Sequence, residues 1–370
     1  MIVGVLIVAF ALILLSELFL ILSFKNDFIK ATEIDSIQTW PNVSILIAAR
    51  NEEDNLEACL NAVLNVDYPQ NKFRVLIGND QSTDNTQIII NHWINQRQNV
   101  KSIPIQSNLN GLIAKSNVLA QLAAKADGKF FVILDADATV TKHWLKTMVA
   151  QATQGFDLVS GYTEVKSGSY FSSLQRMDWQ NSIHTLKVFS DRGNTLTALG
   201  NNMLISAEAY QSVGGFEVLG KTKVEDLKLL LAAKKMGLRT FQLIVNGAAL
   251  TAPLKSVLSY VDQRKRWLSG IMSYRALSGV GFIIYRLMLV EMLIVLCLVS
   301  SSIAQVALIS FLVLKLMIEN IRQHQVNSAM DEVAVKFSLF KPFIIALLDT
   351  FALVVLVLNP KISWKKRNFK

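Results

Sequence analysis

Two aspartates one residue apart close a run of five apolar residues in Phe130-Phe131-Val132-Ile133-Leu134-Asp135-Ala136-Asp137. Alternate side chains of a strand leave on opposite faces, so Asp135 and Asp137 share one side while Ala136 turns to the other. The unbroken apolar run fits a strand covered on both faces, as in a parallel sheet between helices. At the end of such a strand the carboxylates lie in the crevice at the carboxyl edge of the sheet, where open α/β sheets bind ligands. Two hard oxygen donors there suit Mg2+ or Mn2+ bound together with substrate phosphates. An isolated Asp-x-Asp is more often an ordinary loop or helix-capping motif, so the remainder of the chain must decide.

The elements that position these aspartates read as alternating strands and helices. Val43–Ala49 has a buried-strand pattern and breaks into Arg50-Asn51-Glu52-Glu53-Asp54, with Leu56, Cys59, Leu60, Val63 and Leu64 following at helical spacing. The next strand, Phe73–Ile77, ends in Gly78-Asn79-Asp80-Gln81-Ser82-Thr83-Asp84, dense in turn formers, before a helix near Gln87–Ile94. Val100–Ile105 is a third strand, and Lys115 opens a helix whose inner face carries Ala114, Val118, Leu119 and Leu122. This alternation predicts a parallel α/β sheet. Beyond Asp137 the spacing predicts a strand over Asp157–Val165, a helix over Ser172–Phe189, a helix after Glu225-Asp226 and a returning strand over Arg239–Val245.

Composition adds a membrane. Of the 370 residues, 52% are hydrophobic, and the mean hydropathy is +0.36, too apolar for a purely soluble protein. Ile2–Phe24 is apolar except for Ser16, Glu17 and Ser23, and as a helix is ~35 Å long against a ~30 Å hydrocarbon core. No basic segment precedes it and no clear small-residue cleavage site follows, so a retained anchor is expected, with Lys25 and Lys30 keeping its C-terminal flank cytoplasmic. Glu17 is costly in mid-span and must face a partner helix or lie near an interface. Leu287–Met317 is long for one crossing and short for two, and Pro342–Leu358 is apolar again. The organisation expected is an anchor at 1–25, a globular domain at 42–253, an interfacial amphipathic segment at 254–286, a membrane region at 287–358 with about two crossings, and a basic cytoplasmic tail at 359–370. The net charge of +9 lies largely beside apolar segments, as in Trp364-Lys365-Lys366-Arg367, which favours a membrane surface over nucleic acid. Two cysteines, Cys59 and Cys297, build neither a disulfide framework nor a zinc site.

Together these motifs resemble glycosyltransferase family 2, the inverting GT-A enzymes that use nucleotide-diphosphate sugars, over about Val43–Trp267. The resemblance runs through Ala49-Arg50-Asn51-Glu52-Glu53, the Gly78–Asp84 loop, Lys115, Asp135 and Asp137, Glu225-Asp226, and Gln263-Arg264-Lys265-Arg266-Trp267 read as Gln-x-x-Arg-Trp. In the second motif Asn79 stands where the family has aspartate and Gln81 where it has glycine. The resemblance implies a Rossmann-like GT-A domain with one N-terminal and about two C-terminal transmembrane helices. It places Glu52 and Asp80 against the nucleoside, and Lys115 and Arg266 against phosphate. It gives Asp137 a divalent metal, Mg2+ or Mn2+, sets Asp135 against that metal or the ribose of the nucleotide sugar, makes Asp226 the general base, and puts Gln263 and Trp267 against the acceptor. The expected reaction moves one sugar, from a UDP-sugar, to a lipid or lipid-linked glycan acceptor. The expected place is a bacterial inner membrane with the catalytic domain cytoplasmic.

The chemistry is self-consistent. A carboxylate opposite the leaving diphosphate takes the proton of an attacking hydroxyl, and attack from that side inverts the anomeric carbon. Plainer readings stand beside each residue. Asp226 fits a helix N-cap, and Lys115 fits a solvated helix start. Arg264, Lys265 and Arg266 fit a headgroup patch, and Trp267 fits an interfacial anchor. His143 and Trp144 read as packing residues, Asn201 and Asn202 as turn residues, and Gly214-Gly215-Phe216 as architecture. A processive polysaccharide synthase, a non-catalytic nucleotide-binding protein and a nucleotidyltransferase are the competing functions.

Overall fold

The protein is described from a computed structural model covering residues 2–25, 34, 37–105, 107–222, 224–242, 249–274, 276–330, 337–359, 362–364 and 367–369. It divides into two compact units. One comprises 26–164 and 189–252 and holds the main sheet. The other comprises 1–25, 165–188 and 253–370 and is mainly helical. The segment 165–188, which the sequence places inside the 42–253 domain, groups with the helical unit.

The sheet unit is built on β1 (Val43–Ala49), β2 (Phe73–Asn79), β3 (Val100–Pro104), β4 (Phe130–Asp135), β5 (Ala138–Val140), β6 (Leu158–Ser160), β7 (Thr163–Val165), β8 (Asn202–Ser206), β9 (Thr240–Gln242) and β10 (Ala249–Thr251). Seven strands form one sheet in the order β3-β2-β1-β4-β8-β6-β9. From β3 to β4 all pairs are parallel, and β8 then runs antiparallel to both β4 and β6. The strand read over Asp157–Val165 is two short ones in different sheets, because the chain breaks at Gly161 and β7 joins β5 and β10. The returning strand is present as β9, and residues 243–245 of that expectation lie outside the described residues.

Both faces of the central strands are buried, as their continuous apolar runs require. Ile45, Ile47, Val75, Ile77, Val132 and Leu134 pack on one side with the helix Leu56–Leu64 and with Trp144, Leu145 and Met148. Leu46, Leu76, Phe131 and Ile133 pack on the other with Val118, Leu119 and Leu122 of the helix Ala114–Ala123. Gly78 lets that second helix lie close to β2, since a Cβ there would meet Val118 Cγ1 at 2.3 Å. This close approach carries Lys115, at the start of the helix, to the carboxyl edge of the sheet.

In the helical unit, three helices among the described residues are long and apolar enough to cross a membrane: Gly4–Ser23, Ser302–Ala329 and Phe340–Leu358. The apolar stretch Leu287–Met317 is not continuous. The helix Ala276–Leu298 ends, and Ser301 starts the next by accepting from Ala304 N at 3.5 Å. The polar stretch after it is helical too, to Ala329, because its polar face is buried. Lys315, Asn320, Arg322, Gln323 and Asn327 are all enclosed. The amphipathic segment read as continuous to Arg286 is likewise two helices, Val257–Tyr274 and Ala276–Leu298.

Glu17 faces a partner helix. Its carboxylate is fully buried, paired with Lys315, and 3.5 Å from Arg322 Nη1; Lys315 Nζ also lies 2.7 Å from Glu319 Oε1. A buried charge is tolerated when paired and hydrogen-bonded in this way. A second ionic cluster joins Asp178, Asp349, Arg264 and Arg286, with Tyr260 Oη 3.4 Å from both aspartates. Arg264 is thereby committed inside the protein rather than to headgroups, and Lys265 beside it is buried.

Candidate active site

The loops after β1 and β2 are laced together by side-chain bonds to backbone. Asn51 N donates to Ser82 Oγ at 3.0 Å, Glu52 N to Thr86 Oγ1 at 2.8 Å and Glu53 N to Asp84 Oδ2 at 3.1 Å. Thr83 N donates back to Asn51 Oδ1 at 2.9 Å. Arg50 donates to the carbonyl of Asp80, and Asp80 N donates to the carbonyl of Ala49 at 2.8 Å. Glu52 and Asp80, the two expected nucleoside contacts, therefore lie in two tied loops that follow adjacent parallel strands. Gln81 has φ 55, the left-handed conformation that glycine adopts without cost. The turn survives the glycine-to-glutamine departure, with some backbone strain. Asn79, the other departure, closes the turn by accepting from Ser82 N at 3.0 Å.

Asp135 ends β4 and Asp137 lies in the turn that follows; both are half-buried, while Ala136 and Ala138 are fully enclosed. Cys59 lies beneath them, its Sγ 3.7 Å from the Asp135 carbonyl. Burial first, and then Asp137, Asp135 and Glu52, push its thiol well above the ordinary range, so it stays protonated. No group of three or more His, Cys, Asp or Glu side chains that could hold a metal by itself occurs among the described residues. Two adjacent carboxylates nevertheless fit Mg2+ or Mn2+, because such ions are commonly held by one or two carboxylates plus substrate phosphates.

Lys115 is neither solvated nor isolated. Its Nζ lies 2.6 Å from Asp135 Oδ1 and 3.5 Å from Glu225 Oε1, and it donates to the Gly200 carbonyl at 2.7 Å. Burial works against its charge, but Asp135 and Glu225 outweigh it and raise its pKa, so the ammonium is held. The residue before it, Ala114, takes φ 49, unusual for alanine. Asn117 pins the preceding loop, accepting from Leu109 N at 2.8 Å and donating to the Ser107 carbonyl at 3.1 Å.

Asp226 is in the first turn of the helix Glu225–Lys235 rather than at its N-cap, which is Val224. Its Oδ1 accepts from Leu227 N at 2.7 Å and its Oδ2 from Gly200 N at 2.9 Å. Burial and then Glu225 push its pKa up to about 6, against the pull of Lys115 and the two N–H donors. A carboxylate so placed is ionised at neutral pH yet more basic than usual, which suits a general base.

Sequence reasoning missed Gly200. It belongs to the site because β8 pairs antiparallel with β4, Leu134 opposite Asn202, which carries the residues just before β8 alongside Asp135. Asp135 N donates to the Asn201 carbonyl at 3.4 Å. Asn202 is buried and structural, accepting from Trp144 Nε1 at 2.9 Å and donating to the Tyr162 carbonyl at 2.8 Å. His143 instead pairs at the surface with Asp67.

Gln263, Arg266 and Trp267 lie on the helix Val257–Tyr274 of the helical unit. Trp267 packs against Trp179 in a tilted arrangement, 5.4 Å between centroids, and the Arg264 guanidinium lies 4.7 Å from the Trp267 ring centroid.

The chain resembles known proteins in sequence and fold. The model of glycosyl transferase family 2 matches residues 44–214, and that of glycosyl transferase family group 2 matches residues 130–357. The second covers more than half of the chain, and the chain belongs to the family 2 glycosyltransferases. The glycosyltransferase AglE of Haloferax volcanii is 28% identical over 179 residues, 48% of this chain and 57% of that protein. A beta-monoglucosyldiacylglycerol synthase of Synechocystis is 25% identical over 236 residues, 62% of this chain and 48% of that protein. The chain spans about half the length of these curated relatives. The mannosyltransferase PcManGT of Pyrobaculum calidifontis, solved with GDP-Man and Mn2+, aligns over 97% of this chain and 93% of its own at a TM-score of 0.55 and 14% identity. That likeness establishes the shared GT-A fold.

Proposed function

We propose that the protein transfers one sugar from a nucleoside-diphosphate sugar, a UDP-sugar, to a lipid or lipid-linked glycan acceptor, with inversion. The observation that carries this reading is the linked set Asp135–Lys115–Gly200–Asp226, which joins a candidate donor-binding carboxylate to a carboxylate of raised basicity. In the reaction the acceptor oxygen bonds to the anomeric carbon as the bond from that carbon to the diphosphate oxygen breaks. The electron pair leaves with the diphosphate, and the acceptor proton passes to Asp226. A divalent cation held by Asp137 and Asp135 would neutralise charge on the diphosphate. Glu52 and Asp80 bind the nucleoside, and Gln263, Arg266 and Trp267 keep the acceptor and phosphate roles implied by the resemblance.

The apolar helices support a lipid acceptor, as does the beta-monoglucosyldiacylglycerol synthase among the relatives. The cytoplasmic face of a bacterial inner membrane is the proposed location, from the basic residues that flank the first helix. The test offers a panel of sugar nucleotides to the full chain in membranes with mixed lipid extract, with and without EDTA. Release of nucleoside diphosphate from one donor, lost with EDTA, and a lipid product heavier by one sugar are expected. A ladder of repeating sugars would replace this reading with a processive synthase. Pyrophosphate in place of nucleoside diphosphate would mean a nucleotidyltransferase, and no turnover of any donor would favour a non-catalytic binding protein.

A further inference from the structure

The backbone of Gly200 touches both halves of the site. Its carbonyl accepts from Lys115 Nζ at 2.7 Å, and its N–H donates to Asp226 Oδ2 at 2.9 Å. Gly200 is not among the glycines with left-handed φ, so its backbone does not require the absence of a side chain. Space does. A Cβ at Gly200 would lie 2.9 Å from Asp226 Oδ2, 3.0 Å from its Cβ and 3.2 Å from its Cγ. The neighbour that must yield is a short side chain on the first turn of a helix, its other oxygen already held by Leu227 N.

We propose that Gly200 is a positioning residue that fixes the Asp226 carboxylate and, through Lys115, sets its place relative to Asp135. This rests on the reading of Asp226 as general base. The N–H of Gly200 satisfies Oδ2 from one side, and the missing side chain leaves the carboxylate where that bond forms. A methyl group there displaces the carboxylate and weakens the bond. Misplacement of a reacting group by about 1 Å costs on the order of 100-fold in rate. Losing a hydrogen bond to the charged form also raises its pKa.

The experiment compares wild type, Gly200→Ala, Asp226→Ala and the double variant, all as the full chain in detergent. Gly200→Ala is expected to lower kcat by about 30- to 100-fold, leave the donor KM within about threefold, and move the acidic limb of the kcat profile to higher pH. A purely structural glycine would lower the amount of folded protein without moving that limb. Melting temperature supplies a second readout that does not depend on turnover. Gly200→Ala should lower it with Asp226 present and less in the Asp226→Ala background, where the contacts with Oδ2 and Cγ are gone and only the approach to Cβ remains. Equal losses in both backgrounds, or an active Gly200→Ala with unchanged kcat and pH profile, would overturn the proposal. Failure of the base reading looks different: Asp226→Ala would then keep its activity while the melting cycle still reported the Gly200–Asp226 contact.

Discussion

Removing the Lys115 ammonium is the perturbation whose consequences are best defined. In Lys115→Met, Asp135 and Glu225 lose a cation at 2.6 and 3.5 Å, and the Gly200 carbonyl loses its donor. The bare attractions at those distances are about 6 and 5 kcal/mol at an effective dielectric of 20, before any desolvation is subtracted. Stripping one partner from a fully buried pair costs about 3–5 kcal/mol. The Asp135 side chain is 35% exposed, so solvent screens part of its share, and the net loss expected is about 2–4 kcal/mol. Because the folded pKa of Lys115 is raised, its contribution is fully present below the ordinary lysine value and lost only in alkali above it. The gap between wild type and variant should therefore hold across neutral pH. Lys115 also lowers the Asp226 pKa, so its removal should shift the acidic limb of kcat to higher pH. Denaturant or thermal unfolding in detergent reads the first effect, and donor turnover against pH reads the second. Unchanged stability together with an unmoved limb would refute the assignment of Lys115 as the link between the two carboxylates.

Three further outcomes follow from the same geometry. Wild-type kcat should fall about tenfold per pH unit below about 6, where Asp226 takes up its proton, as read by nucleoside diphosphate release. Gln81→Gly should raise stability by about 0.5–1 kcal/mol, since it removes a left-handed glutamine at some cost in unfolded-chain entropy, and should keep nucleotide affinity. Glu17→Ala should lower stability by about 3 kcal/mol, because it leaves Lys315 and Arg322 buried with one carboxylate fewer, whereas Glu53→Ala at the surface should cost far less. Thermal melts in detergent separate the two.

The sequence was most readable where a local pattern alone dictates structure. The Phe130–Leu134 run, the Leu56–Leu64 face and the inner face of the Lys115 helix all appear where spacing puts them. Gly200 was not readable, because its neighbour Asp226 is 26 residues away and the two meet only through the antiparallel β4–β8 register. The partners of Lys115 were hidden for the same reason. Ser300 to Ser302 interrupt the apolar stretch in the sequence, but hydropathy alone did not show that the helix stops there, at 299–301. Nor could it show that Arg264 turns inward, since its partners Asp178 and Asp349 come from distant helices. The Gln81 departure looked more serious in sequence than in structure, where the turn is kept at the expense of strain.

The proposed mechanism depends most directly on Asp226. Turnover of the accepted sugar nucleotide by Asp226→Asn should fall by about 100- to 10,000-fold, the range for loss of a general base. Calorimetric affinity for the nucleoside diphosphate should stay within a few-fold of wild type. Full turnover in Asp226→Asn would contradict the mechanism, whatever the donor proves to be.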